Sequence, residues 1–93
     1  MQLLIDDVRT MPVDKIVRTY DEGIQALQEN KWDIVWLDHD LGCFKDGKEY
    51  TGYTILCWLE ENPRFLPRSI RLITSNPVGR ARMQMVIDKL YGT

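Results

Sequence analysis

The hydrophobic positions of this chain are of two kinds: short unbroken runs that end in acids, and helically spaced sets between them. Ile34-Val35-Trp36-Leu37 is the clearest run, and it meets Asp38-His39-Asp40-Leu41-Gly42. An apolar run that is β-branched at its start and bounded by polar residues predicts a strand buried on both faces, in a parallel sheet covered by helices. Leu3-Leu4-Ile5 repeats the pattern and stops at Asp6-Asp7. Lys15-Ile16-Val17-Arg18-Thr19 is β-branched with polar edges and predicts an edge strand. Ile70, Leu72 and Ile73 mark another strand over residues 68–74.

Helical spacing fills the gaps. Thr19-Tyr20-Asp21-Glu22 has the form of a capping box, with Ile24 and Leu27 following before Asn30-Lys31 ends the helix. Tyr53 to Glu61 predicts a second helix, with Ile55, Leu56 and Leu59 inward and Asn62-Pro63 as its stop. Cys57 and Trp58 are read as packing residues. Met83, Val86, Ile87 and Leu90 mark one face of a final helix closed by Gly92. Leu41 to Gly52 is polar and glycine-rich, which predicts a solvated loop, or a lid beside the carboxylates.

Each of the last two strands follows a helix, so right-handed parallel crossovers are expected. The link between the first two strands is too short for a helix, and Pro12 biases Met11 away from one. The expected fold is a truncated three-layer α/β sandwich of about four parallel strands in the order 2-1-3-4, with Trp36 and Leu37 buried. Its switch point lies between the first and third strands, and ligands of open parallel sheets bind at the carboxyl ends of strands there.

The chain has 93 residues, enough for one domain spanning 1–93. Its net charge of −2 excludes nucleic-acid or membrane binding driven by bulk charge. No run approaches the roughly 20 apolar residues of a membrane span, and charge at Asp6 argues against a signal peptide. Cys43 and Cys57 lack a metal-ligand spacing, and with a single histidine a zinc site is not expected. Free thiols point to a reducing compartment, so a cytoplasmic location is expected.

If the first and third strands are neighbours, Asp6, Asp7, Asp38 and Asp40 converge on one rim. Carboxylates crowded there call for a cation, a basic side chain or a retained proton. An all-oxygen cluster suits a hard cation, Mg²⁺ above all. The last strand ends differently, at Thr74-Ser75-Asn76-Pro77-Val78-Gly79-Arg80. Hydroxyls, an amide, a glycine and an arginine at a helix start can hold a phosphate. An ordinary Asn-Pro turn with a helix cap is the plainer reading of the same residues.

An acid pair after the first strand, an acid after the third and a hydroxyl after the fourth resemble response-regulator receiver domains. Asp6 and Asp7 match the metal-binding pair, Asp38 the phosphoacceptor and Thr74 the hydroxyl. The sequence departs from an ordinary receiver in lacking the first helix and the fifth strand with its lysine. Leu4-Ile5-Asp6-Asp7-Val8-Arg9, Leu37-Asp38-His39-Asp40-Leu41-Gly42, Thr51-Gly52-Tyr53 and Asn76-Pro77-Val78-Gly79 resemble a narrower group, the cyclic-phosphate-processing receiver domains. That resemblance implies a flavodoxin-like receiver fold and the processing of a cyclic phosphate. It also implies a histidine just before the hydroxyl, where this chain has Ile73. If turnover needs that histidine, this chain binds without efficient hydrolysis.

On this reading the chain is a metal-dependent phosphodiesterase-like hydrolase acting on a small cyclic-phosphate ligand, a nucleotide or an RNA end. Asp6, Asp7 and Asp38 hold Mg²⁺ or Mn²⁺. His39 is the proton donor or base, and Asp40 orients it or adds a ligand. Arg9 and Arg80 clamp phosphate oxygens, with Thr74, Ser75, Asn76 and Gly79 nearby. Two alternatives stand beside it: a receiver phosphorylated on Asp38, and a non-catalytic module that binds a cyclic nucleotide or a partner protein.

Overall fold

A computed structural model describes residues 1–92. In chain order it has β1 (Gln2–Ile5), β2 (Lys15–Val17), α1 (Tyr20–Glu29), β3 (Ile34–Leu37), β4 (Cys43–Lys45), β5 (Lys48–Tyr50), α2 (Gly52–Glu61), a single 3-10 turn (Pro63–Phe65), β6 (Ser69–Leu72) and α3 (Pro77–Leu90). The main sheet is parallel, in the order β2-β1-β3-β6. That is the expected arrangement, with β6 as the fourth strand, and the architecture is that of a receiver-like α/β fold.

The register explains the core. Leu3 lies beside Val35, Ile5 beside Leu37, and Leu37 beside Leu72. Alternation along each strand puts these side chains on one face. They share a single core with Ala26 and Leu27 of α1, Ile55, Leu56 and Leu59 of α2, and Met83 and Ile87 of α3. Burying each large apolar side chain contributes roughly 1.5–3 kcal/mol.

The expected third layer is corrected. The crossovers β2–α1–β3 and β3–α2–β6 run in the same direction across the sheet, so the right-handed rule lays both helices on one face. Helix α3 packs beside α2 in that same layer. A helix for the opposite face would have to lie between β1 and β2, where the return runs the other way. Residues 6–14 connect those strands without one. Trp36, expected to be buried, is therefore only half-buried on that open face. Its indole N–H donates to Gln2 Oε1 at 2.9 Å, and the Arg71 guanidinium lies 5.6 Å from its ring centre. Leu4, on the same face, is fully buried between its strand neighbours Ile16 and Trp36.

The helix starts follow local chemistry. Thr19 Oγ1 accepts from the N–H of Glu22 at 3.1 Å, as the capping box requires. The returning Glu22 carboxylate takes the N–H of Arg18 instead of that of Thr19. Helix α2 has a complete box that the sequence reading passed over: the Thr51 N–H donates to Thr54 Oγ1, and the Thr54 N–H donates to Thr51 Oγ1.

Residues 41–52, read as a loop, contain the antiparallel β4–β5 hairpin. Its turn is Asp46-Gly47, with φ of 52° and 75°. Two consecutive positive φ values match the twist of a two-residue hairpin, which is why Asp-Gly serves there. Among the described residues no helix is long and apolar enough to cross a membrane.

Candidate functional site

The carboxyl ends of β1, β3 and β6 build the site. Each strand gains one further ladder bond past its end: Asp6 N–H donates to the Val17 carbonyl, Asp38 N–H to that of Ile5, and Ile73 N–H to that of Leu37. The chain stays pinned in the sheet up to its first polar residue. Asp6 and Asp38 are therefore held at fixed positions and buried, at 0% and 5% exposed.

Asp6, Asp7 and Asp38 each offer an oxygen, and these atoms all lie within 4.8 Å of one another. Three of the four acids expected to converge do so; Asp40 does not join them, because its carboxylate is turned to His39 Nδ1.

Asp6 is the most tightly held. Its Oδ1 accepts from the N–H groups of Val8 at 2.9 Å and Arg9 at 3.1 Å, and its Oδ2 accepts from Arg9 Nη1 at 2.9 Å. Burial drives its pKa upward, but the two backbone bonds and the guanidinium outweigh it, so the net shift is downward. Asp38 goes the other way. Burial and the charge of Asp6 raise it, against the Thr74 hydroxyl, the His39 N–H and the Arg9 charge. Neighbouring carboxylates pushed in opposite directions mark a site short of positive charge.

The cation present is Arg9. Its Nη1 also lies 3.4 Å from Asp38 Oδ2, so one guanidinium spans both buried acids. The hydrogen bond to Asp6 and the charge of Asp38 raise its own pKa. Arg18, which the sequence reading did not single out, fixes the loop that carries Arg9. Its Nη1 donates to the carbonyls of Asp6 and Arg9, and its Nη2 reaches Thr10 Oγ1. The available signal was an arginine at the end of a β-branched edge strand.

His39 and Asp40 form their own pair, with His39 Nδ1 and Asp40 Oδ1 2.9 Å apart. The imidazole packs on the first turn of α3. A Cβ added to Gly79 would sit 2.6 Å from the ring carbons, so only glycine admits the ring there. Behind the same loop, the Gly52 N–H donates to the His39 carbonyl at 2.9 Å. A Cβ on Gly52 would come 2.0 Å from the Asp38 carbonyl oxygen. The glycine of Thr51-Gly52-Tyr53 thus lets α2 approach the Asp38–His39 backbone closely.

The candidate phosphate residues at the end of β6 are largely engaged with the protein. Thr74 Oγ1 accepts from the Asn76 N–H at 3.1 Å as well as reaching Asp38. Asn76 caps α3, its Oδ1 accepting from the Gly79 N–H at 3.0 Å. Arg80 Nη1 donates to the carbonyls of Leu72 and Thr74 at 3.3 and 3.5 Å, bracing the strand end. Ser75 is exposed at the rim.

The geometry offers a charge-poor carboxylate cluster for a hard cation, a guanidinium between its two buried members, and an aspartate-oriented imidazole on the adjoining loop. Neither the curated proteins nor the solved structures compared with this chain contain a match. The cyclic-phosphate processing receiver domain matches over residues 1–89. The chain belongs to that family, which ties its role to cyclic-phosphate processing.

Proposed function

We propose that this domain opens a cyclic phosphate on a nucleotide or an RNA end with the help of Mg²⁺ or Mn²⁺. The observation that carries the proposal is the trio Asp6, Asp7 and Asp38, whose oxygens lie within 4.8 Å of one another. Their all-oxygen donor set fits either cation. When bound, the cation supplies charge neutralisation at the phosphate and polarises an attacking water.

The chain's own residues do the rest. His39, oriented through Nδ1 by Asp40, carries at Nε2 the proton for the departing ring oxygen. The water oxygen bonds to phosphorus, one ring P–O bond breaks, and a cluster carboxylate takes the water's proton. With a cation held by the three acids, Arg9 beside them would offer its free donors to the non-bridging oxygens. A screen of cyclic phosphates with each metal, read by chromatography, tests the proposal. Ring-opened product from at least one is expected; tight binding without product would leave a binding module, in keeping with Ile73.

A second reading has one specific support. Arg9 beside Asp38 supplies a cation where an ordinary receiver uses lysine. A phosphoacceptor Asp38 would gain mass on incubation with a small phosphodonor and Mg²⁺. That gain would be lost in Asp38→Asn.

A further inference from the structure

The three acids of the rim are not held alike. Asp6 and Asp38 are buried and hydrogen-bonded. Asp7 is exposed, and its carboxylate makes no hydrogen bond or ion pair among the described residues. An oxygen of Asp7 nevertheless stands within 4.8 Å of the other two. The backbone of the turn from Asp6 to Arg9 is what puts it there. Packing does little for that turn: Val8 is 75% exposed, and no helix lies between β1 and β2 to cover it.

The turn is tied from two sides. On the inside, Asp6 Oδ1 accepts from the N–H groups of Val8 and Arg9. On the outside, Arg18 Nη1 donates to the carbonyls of Asp6 and Arg9, the first and last residues of the turn, and Nη2 reaches Thr10 Oγ1 at 3.4 Å. A planar guanidinium holds several acceptors in one fixed geometry, which a flexible ammonium does not. The two ties differ once a cation arrives. A metal ion draws on the carboxylate that makes the inner tie, whereas the outer tie uses carbonyls and is left alone. Among the described residues no carboxylate pairs with Arg18, so its guanidinium is anchored by this loop alone.

Resting on the metal-dependent reading above, we propose that Arg18 is a positioning residue: by fixing the turn from Asp6 to Arg9 it sets where Asp7 stands, and through Asp7 it sets the affinity of the rim for a divalent cation. Charge and position make opposite demands here. As a bare positive charge near the acids, Arg18 repels a cation, so its removal would tighten binding. As the outer tie it keeps the third oxygen in place, so its removal loosens binding. Outer partners that orient metal ligands typically contribute about 10–100-fold in affinity. The positional effect is therefore the larger, and the sign of the change tells the two apart.

The test titrates Mn²⁺ into metal-free protein and follows the paramagnetic resonance of the free ion. Arg18→Met should weaken Mn²⁺ binding by at least about tenfold relative to wild type. Amide NMR spectra of the metal-free proteins supply a second readout: the signals of Asp7, Val8 and Arg9 should move, while those of β3 and β6 stay in place. A thermal melt checks that the variant is folded. If it is not, Arg18→Lys takes its place, keeping the charge without the planar fork, and should weaken binding in the same direction. Affinity that is unchanged or tighter in the folded variant would overturn the positioning role and leave the metal reading standing. So would weakened binding with shifts spread equally through β3 and β6, which a general loosening of the fold would give. A wild type that binds no Mn²⁺ would overturn the two together.

Discussion

Removing Arg9 probes the charge arrangement at the rim. In the wild type its guanidinium spans Asp6 Oδ2 at 2.9 Å and Asp38 Oδ2 at 3.4 Å. Breaking a fully buried ion pair from one side costs about 3–5 kcal/mol. Here the figure must be reduced. The Arg9 side chain is 38% exposed, and Asp6 keeps its bonds from the N–H groups of Val8 and Arg9. One lost hydrogen bond to a charged group, screened by water, leaves about 1–2 kcal/mol. For a domain of this size that is a fall of about 4–16 °C in melting temperature. Circular dichroism melts of Arg9→Ala in EDTA at pH 7 measure it. The pH dependence has a definite sign. The Asp6 pKa is lowered by folding, so its contribution is present above the ordinary carboxylate pKa and is lost as pH falls through the folded value. Without Arg9 the folded value moves up toward the ordinary one, so that acid-linked contribution shrinks. A cation should also recover more of the lost stability in Arg9→Ala than it adds to wild type, since the guanidinium no longer competes for Asp6 and Asp38. An unchanged melting temperature in EDTA would refute the bridging role.

Leu37→Ala should cost about 2–5 kcal/mol by denaturant titration, because Leu37 is fully buried in the core beneath the helices. Asp38→Asn should stabilise the metal-free protein at neutral pH, while Mg²⁺ raises its melting temperature less than it raises that of wild type. The sign follows from linkage: folding raises the Asp38 pKa, so the native state binds the extra proton, and stability falls as pH rises from the unfolded to the folded value. A destabilised Asp38→Asn in EDTA would contradict that. His39→Ala should slow ring opening by about 10²–10⁴-fold and keep the metal-induced rise in melting temperature. Gly79→Ala, which pushes on the imidazole, should reduce the rate in the same direction, and full activity in both variants would remove His39 from the chemistry.

The strand order and the acid cluster were legible because each parallel strand is a short apolar run that stops where the sheet stops. Asp6 and Asp38 could only fall at neighbouring carboxyl ends. The missing layer was not legible from Ile34-Val35-Trp36-Leu37 alone. Ile34 and Trp36 are as apolar as Val35 and Leu37, yet they face the side that no helix covers, where Gln2 and Arg71 attend the indole. The absent helix between β1 and β2 was already evident in the sequence, and with the handedness rule it determines which face stays open. The hairpin was hidden because Phe44, Lys45, Lys48 and Glu49 carry no alternating buried face, although Asp46-Gly47 is a hairpin turn signal. Arg18 stayed hidden for a different reason: its partners are mostly backbone carbonyls, which no pattern of side chains encodes.

Phosphorus NMR of adenosine 2′,3′-cyclic phosphate incubated with the protein tests the central claim most directly, because ring opening turns the cyclic diester signal into that of a monoester. The account predicts a monoester signal with wild type in Mg²⁺ or Mn²⁺, its loss in EDTA, and its loss in a folded Asp38→Asn. A monoester signal that persists at the same rate in EDTA and in Asp38→Asn would contradict it.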